Sequence, residues 1–289
     1  MVAENKTILE YFSEAIGIFR ARNARGNPEF PTGLRFLDDV TDGISKGEVW
    51  IISGRSGGGK TSLAMQMFRS FGANPEHTVL FLSLEMKGWE LSARMFCEMN
   101  DVCYSDLKKG IFPADFKAKE ESFKKHVMLR DYEIFEYGYK FEEIEKILQT
   151  AYEKKKPDVI FIDFIQLIEW RAFGDERLAL MEYIRKLKEL AKKLNIGIVV
   201  VSQLRRQPSG ADHQREPDIT DLKGSGSLEQ TADKVMLVYK REERNIQSNL
   251  TTTKYFIHLA KNRQGETVFK EVGFYGEYYK FVELKSEEN

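Results

Sequence analysis

Between Gly54 and Thr61 the chain reads GRSGGGKT, four glycines in the six residues that precede a lysine and a threonine. The spacing satisfies G-x-x-x-x-G-K-[ST], with the apolar run VWIIS before it and the helix-forming SLAMQM after it, the context in which this pattern cradles phosphate. Bare backbone is needed because the loop must turn its N–H groups inward around anionic oxygens, where side chains would clash or forbid the dihedrals. In this reading Gly54, Arg55, Ser56, Gly57, Gly58, Gly59, Lys60, Thr61 and Ser62 surround the phosphates of a nucleoside triphosphate. Lys60 neutralises the β and γ phosphates, Thr61 ligates Mg²⁺, and the following helix directs its positive end at the anion.

Such a site needs acidic partners. Asp163 ends the apolar run VIFID, where a carboxylate can reach the metal directly or through water. Glu85 follows TVLFLSL and is the candidate base that orients and deprotonates water; the alternative is a helix-start carboxylate that favours the dipole of a helix near Trp89–Met99. Gln203, at the end of IGIVVVSQ, could hydrogen-bond the γ-phosphate or simply be a solvated strand end.

These residues share a site only if their strands do. VWIIS, TVLFLSL, VIFIDFI, IGIVVVSQL, KVMLVY and KYFIHLA are apolar on both faces, as strands of a buried parallel sheet are, and amphipathic segments between them supply covering helices. The fold class is therefore α/β, and parallel strands bring their C-terminal ends to one rim. The spacing predicts a helix over Glu176–Leu194 with Leu178, Met181, Ile184, Leu187, Ala191 and Leu194 on one face. EVGFYGEYYKFVEL reads as a C-terminal hairpin with Gly276 in its turn, and Ala114–Lys125 as a solvated helix. Near the start, Ile8, Leu9, Phe12, Ala15, Ile16 and Phe19 form one helical stripe, which can dock on this domain or on a neighbouring subunit. NARGNPEFPTG follows as a linker, giving residues 1–31 as helix and linker and 32–289 as the main domain.

Composition narrows the partners. Forty-four basic against 45 acidic residues leave a formal charge of −1, so any nucleic-acid contact must come from local geometry. No apolar run approaches the roughly 18 residues of a membrane span, and the start MVAENKT lacks a signal peptide's features, so a cytoplasmic protein is expected. Cys97 and Cys103 are too few for a disulfide framework and lack zinc-ligand spacing. His77, His126, His213 and His258 form no constellation.

Taken in order, TGLRFLDDVTDGISKGEVWIISGRSGGGKTSLAMQM, FLSLEMKGWELSARM, VIFIDFIQL, VVVSQLRR, ITDLKGSGSLEQTADKVMLVYKRE and IHLAKNRQGETVFKEVGFYGEYYKF resemble the RecA-like motor domain of the DnaB-type bacterial and phage replicative helicases. The resemblance runs from about Thr32 to the end. It implies a RecA-like P-loop fold and a ring, usually a hexamer, with ATP between subunits and single-stranded DNA in the channel. It implies that Lys261 and Arg263 of KNRQG reach a neighbour's γ-phosphate, and it matches Arg94 to a family arginine without giving it a role. Lys223, Gly224 and Gly226 match the loop that grips the DNA backbone, although the family's usual Arg-Glu pair is Lys-Gly here. RRQPSGADHQREPDI, which begins with Arg205 and Arg206, resembles the neighbouring channel loop; the alternative is an ordinary surface loop.

The same resemblance implies an N-terminal collar that contacts primase, for which the residues before Thr32 are too few, so either an excised motor or a naturally short form is expected. It makes the Ile8–Phe19 helix a linker helix that docks on the adjacent subunit. The expected activity is an ATP-driven replicative helicase motor with primase and a loader as partners. The alternatives are a recombinase-like or clock-protein-like assembling ATPase and a non-unwinding accessory ATPase.

Overall fold

Period-two alternation along the apolar runs sends successive side chains to opposite sides of a sheet, so each run feeds two cores. The computed structural model describes residues 7–26, 28–136, 140–169, 171–205, 215–222, 230–244 and 251–284. Its strands are β1 (Val49–Gly54), β2 (Thr78–Ser83), β3 (Asp131–Glu136), β4 (Val159–Asp163), β5 (Gly197–Gln203), β6 (Lys234–Arg244), β7 (Thr251–Asn262), β8 (Val268–Tyr275) and β9 (Lys280–Glu283). They form one sheet in the order β3-β2-β4-β5-β1-β6-β7-β8-β9. Pairing is parallel from β3 through β6 and antiparallel from β6 to β9. The α/β class and the C-terminal hairpin hold, and the hairpin turn spans Gly276–Tyr279 between β8 and β9.

The helices are α1 (Ile8–Arg25), α2 (Arg35–Thr41), α3 (Lys60–Phe71), α4 (Gly88–Asn100), α5 (Tyr104–Lys108), α6 (Phe116–Met128), α7 (Phe141–Lys155) and α8 (Glu176–Leu194). On one side of the sheet Val49, Ile51, Leu80, Leu82, Ile160, Ile162, Ile198 and Val200 pack under α7 and α8. On the other, Trp50, Ile52, Phe81, Phe161, Val199 and Val201 pack under α3 and α4. Each fully buried side chain of this size contributes on the order of 2 kcal/mol.

Two expectations change. KYFIHLA lies in β7, which runs antiparallel to β6 and extends the sheet beyond its parallel part. Along α8 the buried face is Leu180, Tyr183, Ile184, Leu187, Leu190 and Ala191, while Leu178 is 51% exposed. Steps of three residues fall short of a turn, so at about 100° per residue Leu178 and Leu187 stand on opposite sides of the helix.

α1 begins with a capping box, in which Thr7 Oγ1 accepts from the Glu10 N–H at 3.3 Å and the Thr7 N–H donates to Glu10 Oε2 at 2.6 Å. Its apolar stripe stays in solvent, with Ile8, Leu9, Phe12 and Phe19 all exposed. Chain packing starts right after it: Phe30 is buried in the core on the α3 side, and its carbonyl accepts from the Ile44 N–H at 3.2 Å. α6 buries no residue, as its charge pattern predicts.

Candidate functional site

Parallel register sets the rim. β1 and β5 pair so that Gly54 lies level with Gln203, and β2 and β4 so that Ser83 lies level with Asp163. The Leu84 N–H donates to the Asp163 carbonyl at 2.7 Å, which joins the ends of β2 and β4. The glycine loop, Glu85, Asp163 and Gln203 consequently open on one cleft of roughly 320 Å³.

Within the loop the glycines have separate tasks. Gly57 and Gly59 adopt positive φ, 72° and 93°, which L side chains rarely tolerate. Gly54 sits where a Cβ would fall 2.2 Å from the Val238 carbonyl oxygen of β6, so the loop lies against that strand. Gly59 also ends the loop at the start of α3, where no side chain caps the helix and the first-turn N–H groups remain available as donors. Ser56, Gly57, Gly59, Lys60, Thr61 and Ser62 line the cleft. Arg55 faces away from it and donates to the Arg215 carbonyl at 3.2 Å, while Gly54 and Gly58 back onto Val238.

Two contacts define the polar floor. The Thr61 hydroxyl donates to Asp163 Oδ2 at 2.7 Å, and Lys60 Nζ donates to the Arg55 carbonyl at 3.0 Å. Burial pushes the Asp163 carboxyl up to about 6, with the Glu85 charge adding to the rise and the Thr61 bond and the Lys60 and Arg94 charges opposing it. Burial likewise lowers Lys60, against the attraction of Asp163 and Glu85. Glu85 itself is exposed at the cleft wall, on a turn held by Ser83, whose hydroxyl accepts from the Met86 N–H at 3.2 Å.

Gln203 is fixed by a residue that spacing did not single out. Gln166, on the short turn after β4, accepts from the Gln203 N–H at 3.1 Å and donates to the Gln203 carbonyl at 3.1 Å and to Ser202 Oγ at 2.7 Å. The only sequence signal was its place three residues beyond Asp163. Arg94 of α4 also lines the cleft, with its guanidinium 4.3 Å from the Tyr279 ring centroid. Phe274, Gly276 and Tyr279 of the C-terminal hairpin complete the wall. The hairpin was legible in sequence, but its position over the glycine loop was not.

Lys261 and Arg263 are not brought to this cleft. Lys234 of β6 pairs with Trp50 of β1 and with Asn262 of β7, so the basic pair sits level with the start of β1. Four strand residues, on the order of 13 Å, separate that level from Gly54. Lys261 Nζ donates to the Ala232 carbonyl at 2.6 Å, and Arg263 donates to Asp233 Oδ1 at 3.3 Å. Arg205 is exposed just past β5, its N–H bonded to the Asp221 carbonyl at 2.9 Å. Arg206, Lys223, Gly224 and Gly226 lie outside the described residues.

The fit to a magnesium-bound triphosphate rests on the donors present. The cradle offers backbone N–H groups and one ammonium for the phosphates, and Thr61 Oγ1 with Asp163 offers two hard oxygens for the metal. Among the described residues no cluster of three or more His, Cys, Asp or Glu forms a metal cage. No described helix is long and apolar enough to cross a membrane.

Residues 29–283 match the family described as DnaB-like helicase C terminal domain. The chain is 28% identical over 295 residues to a probable plasmid replicative DNA helicase of Chlamydia trachomatis, covering 98% of this chain and 63% of that protein. It is 33% identical over 243 residues to the replicative DNA helicase DnaB of Helicobacter pylori, covering 81% of this chain and 49% of that one. It therefore spans about half to three-fifths of these relatives. Among solved structures, a chain described as an ATPase domain superposes with a TM-score of 0.84 at 26% identity, over 98% of this chain and 100% of that one. A DnaB-like replicative helicase described with its interactions with primase superposes with a TM-score of 0.81 at 25% identity, over 98% and 68%.

Proposed function

Because this chain belongs to the DnaB-like helicase C-terminal domain family, we propose that it is the ATP-hydrolysing motor of a replicative DNA helicase, working as a ring, usually a hexamer, on single-stranded DNA. One observation carries the reading. The glycine loop, Asp163 and Glu85 occupy one rim of the sheet and the Lys261–Arg263 pair the other, which supports a reading in which each subunit brings two complementary halves of a phosphoryl-transfer site.

In this reading the N–H groups of Gly57 and Gly59 and the first turn of α3 hold the phosphate chain, and Lys60 neutralises it. Thr61 and Asp163 hold Mg²⁺, which when bound screens the phosphate charge. Glu85 orients water and takes its proton, and Gln203, fixed by Gln166, senses the terminal phosphate. Lys261 and Arg263 of the adjacent subunit meet the charge that develops in transfer, a contribution worth roughly 10³ to 10⁵ in rate. Arg205, Arg206, Lys223, Gly224 and Gly226 contact the strand's backbone, which positions DNA without reading its sequence. Residues 1–31 form the linker helix and linker, residues 32–289 the motor, and primase and a loader are the protein partners.

The deciding experiment measures ATP hydrolysis with and without single-stranded DNA, beside unwinding of a forked duplex. Stimulation by the strand together with unwinding is expected. Hydrolysis indifferent to DNA, with no unwinding, would replace this reading with a clock-protein-like assembling ATPase.

A further inference from the structure

At the start of β6 the chain buries two opposite charges that no phosphate contact uses. Asp233 is 4% exposed and Lys234 1%, and a buried charge is costly unless its partners compensate. Lys234 is compensated by Glu48, with Nζ 2.8 Å from Oε1 and 3.0 Å from Oε2. Its ammonium lies 4.9 Å from the centroid of Trp50, whose indole N–H donates to Glu48 Oε2 at 2.8 Å. Gln264 Oε1, 3.4 Å from Lys234 Nζ, and the Ser45 N–H, which donates to Glu48 Oε2 at 3.1 Å, complete a set that serves the core.

Asp233 divides its two oxygens between different tasks. Oδ2 accepts from the Val49 N–H at 2.8 Å and from Lys188 Nζ at 2.5 Å, tying β6 to β1 and α8. Oδ1 faces outward and accepts from the Arg263 guanidinium at 3.3 Å. The adjoining backbone holds the same turn: the Asp233 carbonyl accepts from the Arg263 N–H at 2.9 Å and the Ala232 carbonyl from Lys261 Nζ at 2.6 Å. The second terminal nitrogen of Arg263 donates to the Gln230 carbonyl at 2.6 Å.

We infer that Asp233 is a positioning residue for the basic pair, a buried carboxylate anchored to β1 and α8 on one side that aims the Arg263 guanidinium on the other. The inference rests on the reading that Lys261 and Arg263 act on a neighbour's triphosphate. An arginine side chain that is half exposed has many rotamers, and transfer requires one of them. A carboxylate held by two core contacts restricts that choice without entering the reaction.

Asp233→Asn tests this selectively. The single amide oxygen is drawn to Val49 N–H and Lys188, leaving the amide NH₂ against the guanidinium, so the core anchor survives and the aim is lost. With the full chain and ATP, kcat is expected to fall on the order of 100-fold while the affinity for a non-hydrolysable ATP analogue stays within about twofold. Lys188→Met, which removes one of the two core anchors but keeps the Val49 bond and the carboxylate facing Arg263, is expected to lower the melting temperature and to cost less in kcat than Asp233→Asn does. Mixing Asp233→Asn with Lys60→Ala subunits is expected to restore hydrolysis, because one supplies the intact cradle and the other the intact cation.

Arg263→Ala separates the two levels of argument. If it abolishes turnover while Asp233→Asn hydrolyses at the parental rate, Asp233 does not position the pair and the neighbour-site reading stands. If Arg263→Ala keeps the parental rate, the neighbour-site reading falls and this inference with it. Equal losses in Lys188→Met and Asp233→Asn, or no recovery in the mixed assembly, would show a purely structural carboxylate. Should Asp233→Asn not fold, Asp233→Glu, which keeps the charge but displaces it by a methylene, is put to the same measurements and the same outcomes decide.

Discussion

The hydroxyl of Thr61 donates to Oδ2 of Asp163 across 2.7 Å, which joins the first turn of α3 to the end of β4, two strands away from β1. The carboxylate that receives this bond is buried and raised to about 6, and that sets a pH dependence. A folded-state value above the unfolded one, near 3.8, means that the folded chain holds the extra proton, so Asp163 makes the protein less stable as pH rises through that window. At about 1.4 kcal/mol per unit the penalty above pH 6 is about 3 kcal/mol. A divalent cation beside Asp163 offsets it. The rise in melting temperature produced by Mg²⁺ with a non-hydrolysable ATP analogue should therefore be larger near pH 8 than near pH 5. Asp163→Asn should flatten the difference. An equal shift at both pH values would remove Asp163 from the metal role.

Glu85→Gln removes the proposed base and keeps the size of the side chain. Glu85 is exposed and outside the core clusters, so the fold is expected to be unaffected. Single-turnover hydrolysis should drop roughly 10²- to 10⁴-fold, the usual contribution of a general base, with analogue affinity preserved. A rate close to that of the parent would assign water activation elsewhere.

Gly59 combines φ +93° with a site where a Cβ would approach the Phe281 ring to 2.6 Å. Gly59→Ala strains the loop and pushes the C-terminal hairpin away from it. A loss of about 1–3 kcal/mol in a urea melt is expected, along with weaker analogue binding. An unchanged midpoint would mean that the loop and hairpin give way freely.

The stripe on α1 gives an assembly prediction. Phe12 and Phe19 are 60% and 65% exposed, so replacing both with Ser should alter the stability of the single subunit by no more than about 0.5 kcal/mol. If the stripe docks on an adjacent subunit, sedimentation velocity will show the ring dissociating to smaller species at concentrations where the parent remains assembled. Identical sedimentation of parent and variant would exclude the docking role.

Lys60, Thr61 and the glycines before them were legible because the phosphate cradle proposed for them imposes local demands: positive φ, absent Cβ atoms, and a cation next to a helix start. The strand ends that carry Glu85, Asp163 and Gln203 were legible for a similar reason, since runs apolar on both faces belong inside a parallel sheet and parallel strands share a rim. β3 was not, because an edge strand with half-buried, alternating DYEIFE lacks a continuous apolar run. Nor was the face of α8, where several apolar residues lie outside the buried arc and only packing against β1 and β5 selects among them.

What the sequence alone determined is the chemistry of each short segment, because dihedral limits, side-chain charge and hydrophobic period act within a few residues. Tertiary structure decided which segments meet. Thr61 finds Asp163 102 positions away, Lys234 finds Glu48 186 positions away, and Gln66 holds the Phe281 backbone 215 positions away. No local signal encodes those distances. They follow from strand order and register, which also carry Lys261 and Arg263 to the rim opposite their own cleft and leave Asp233 beneath them.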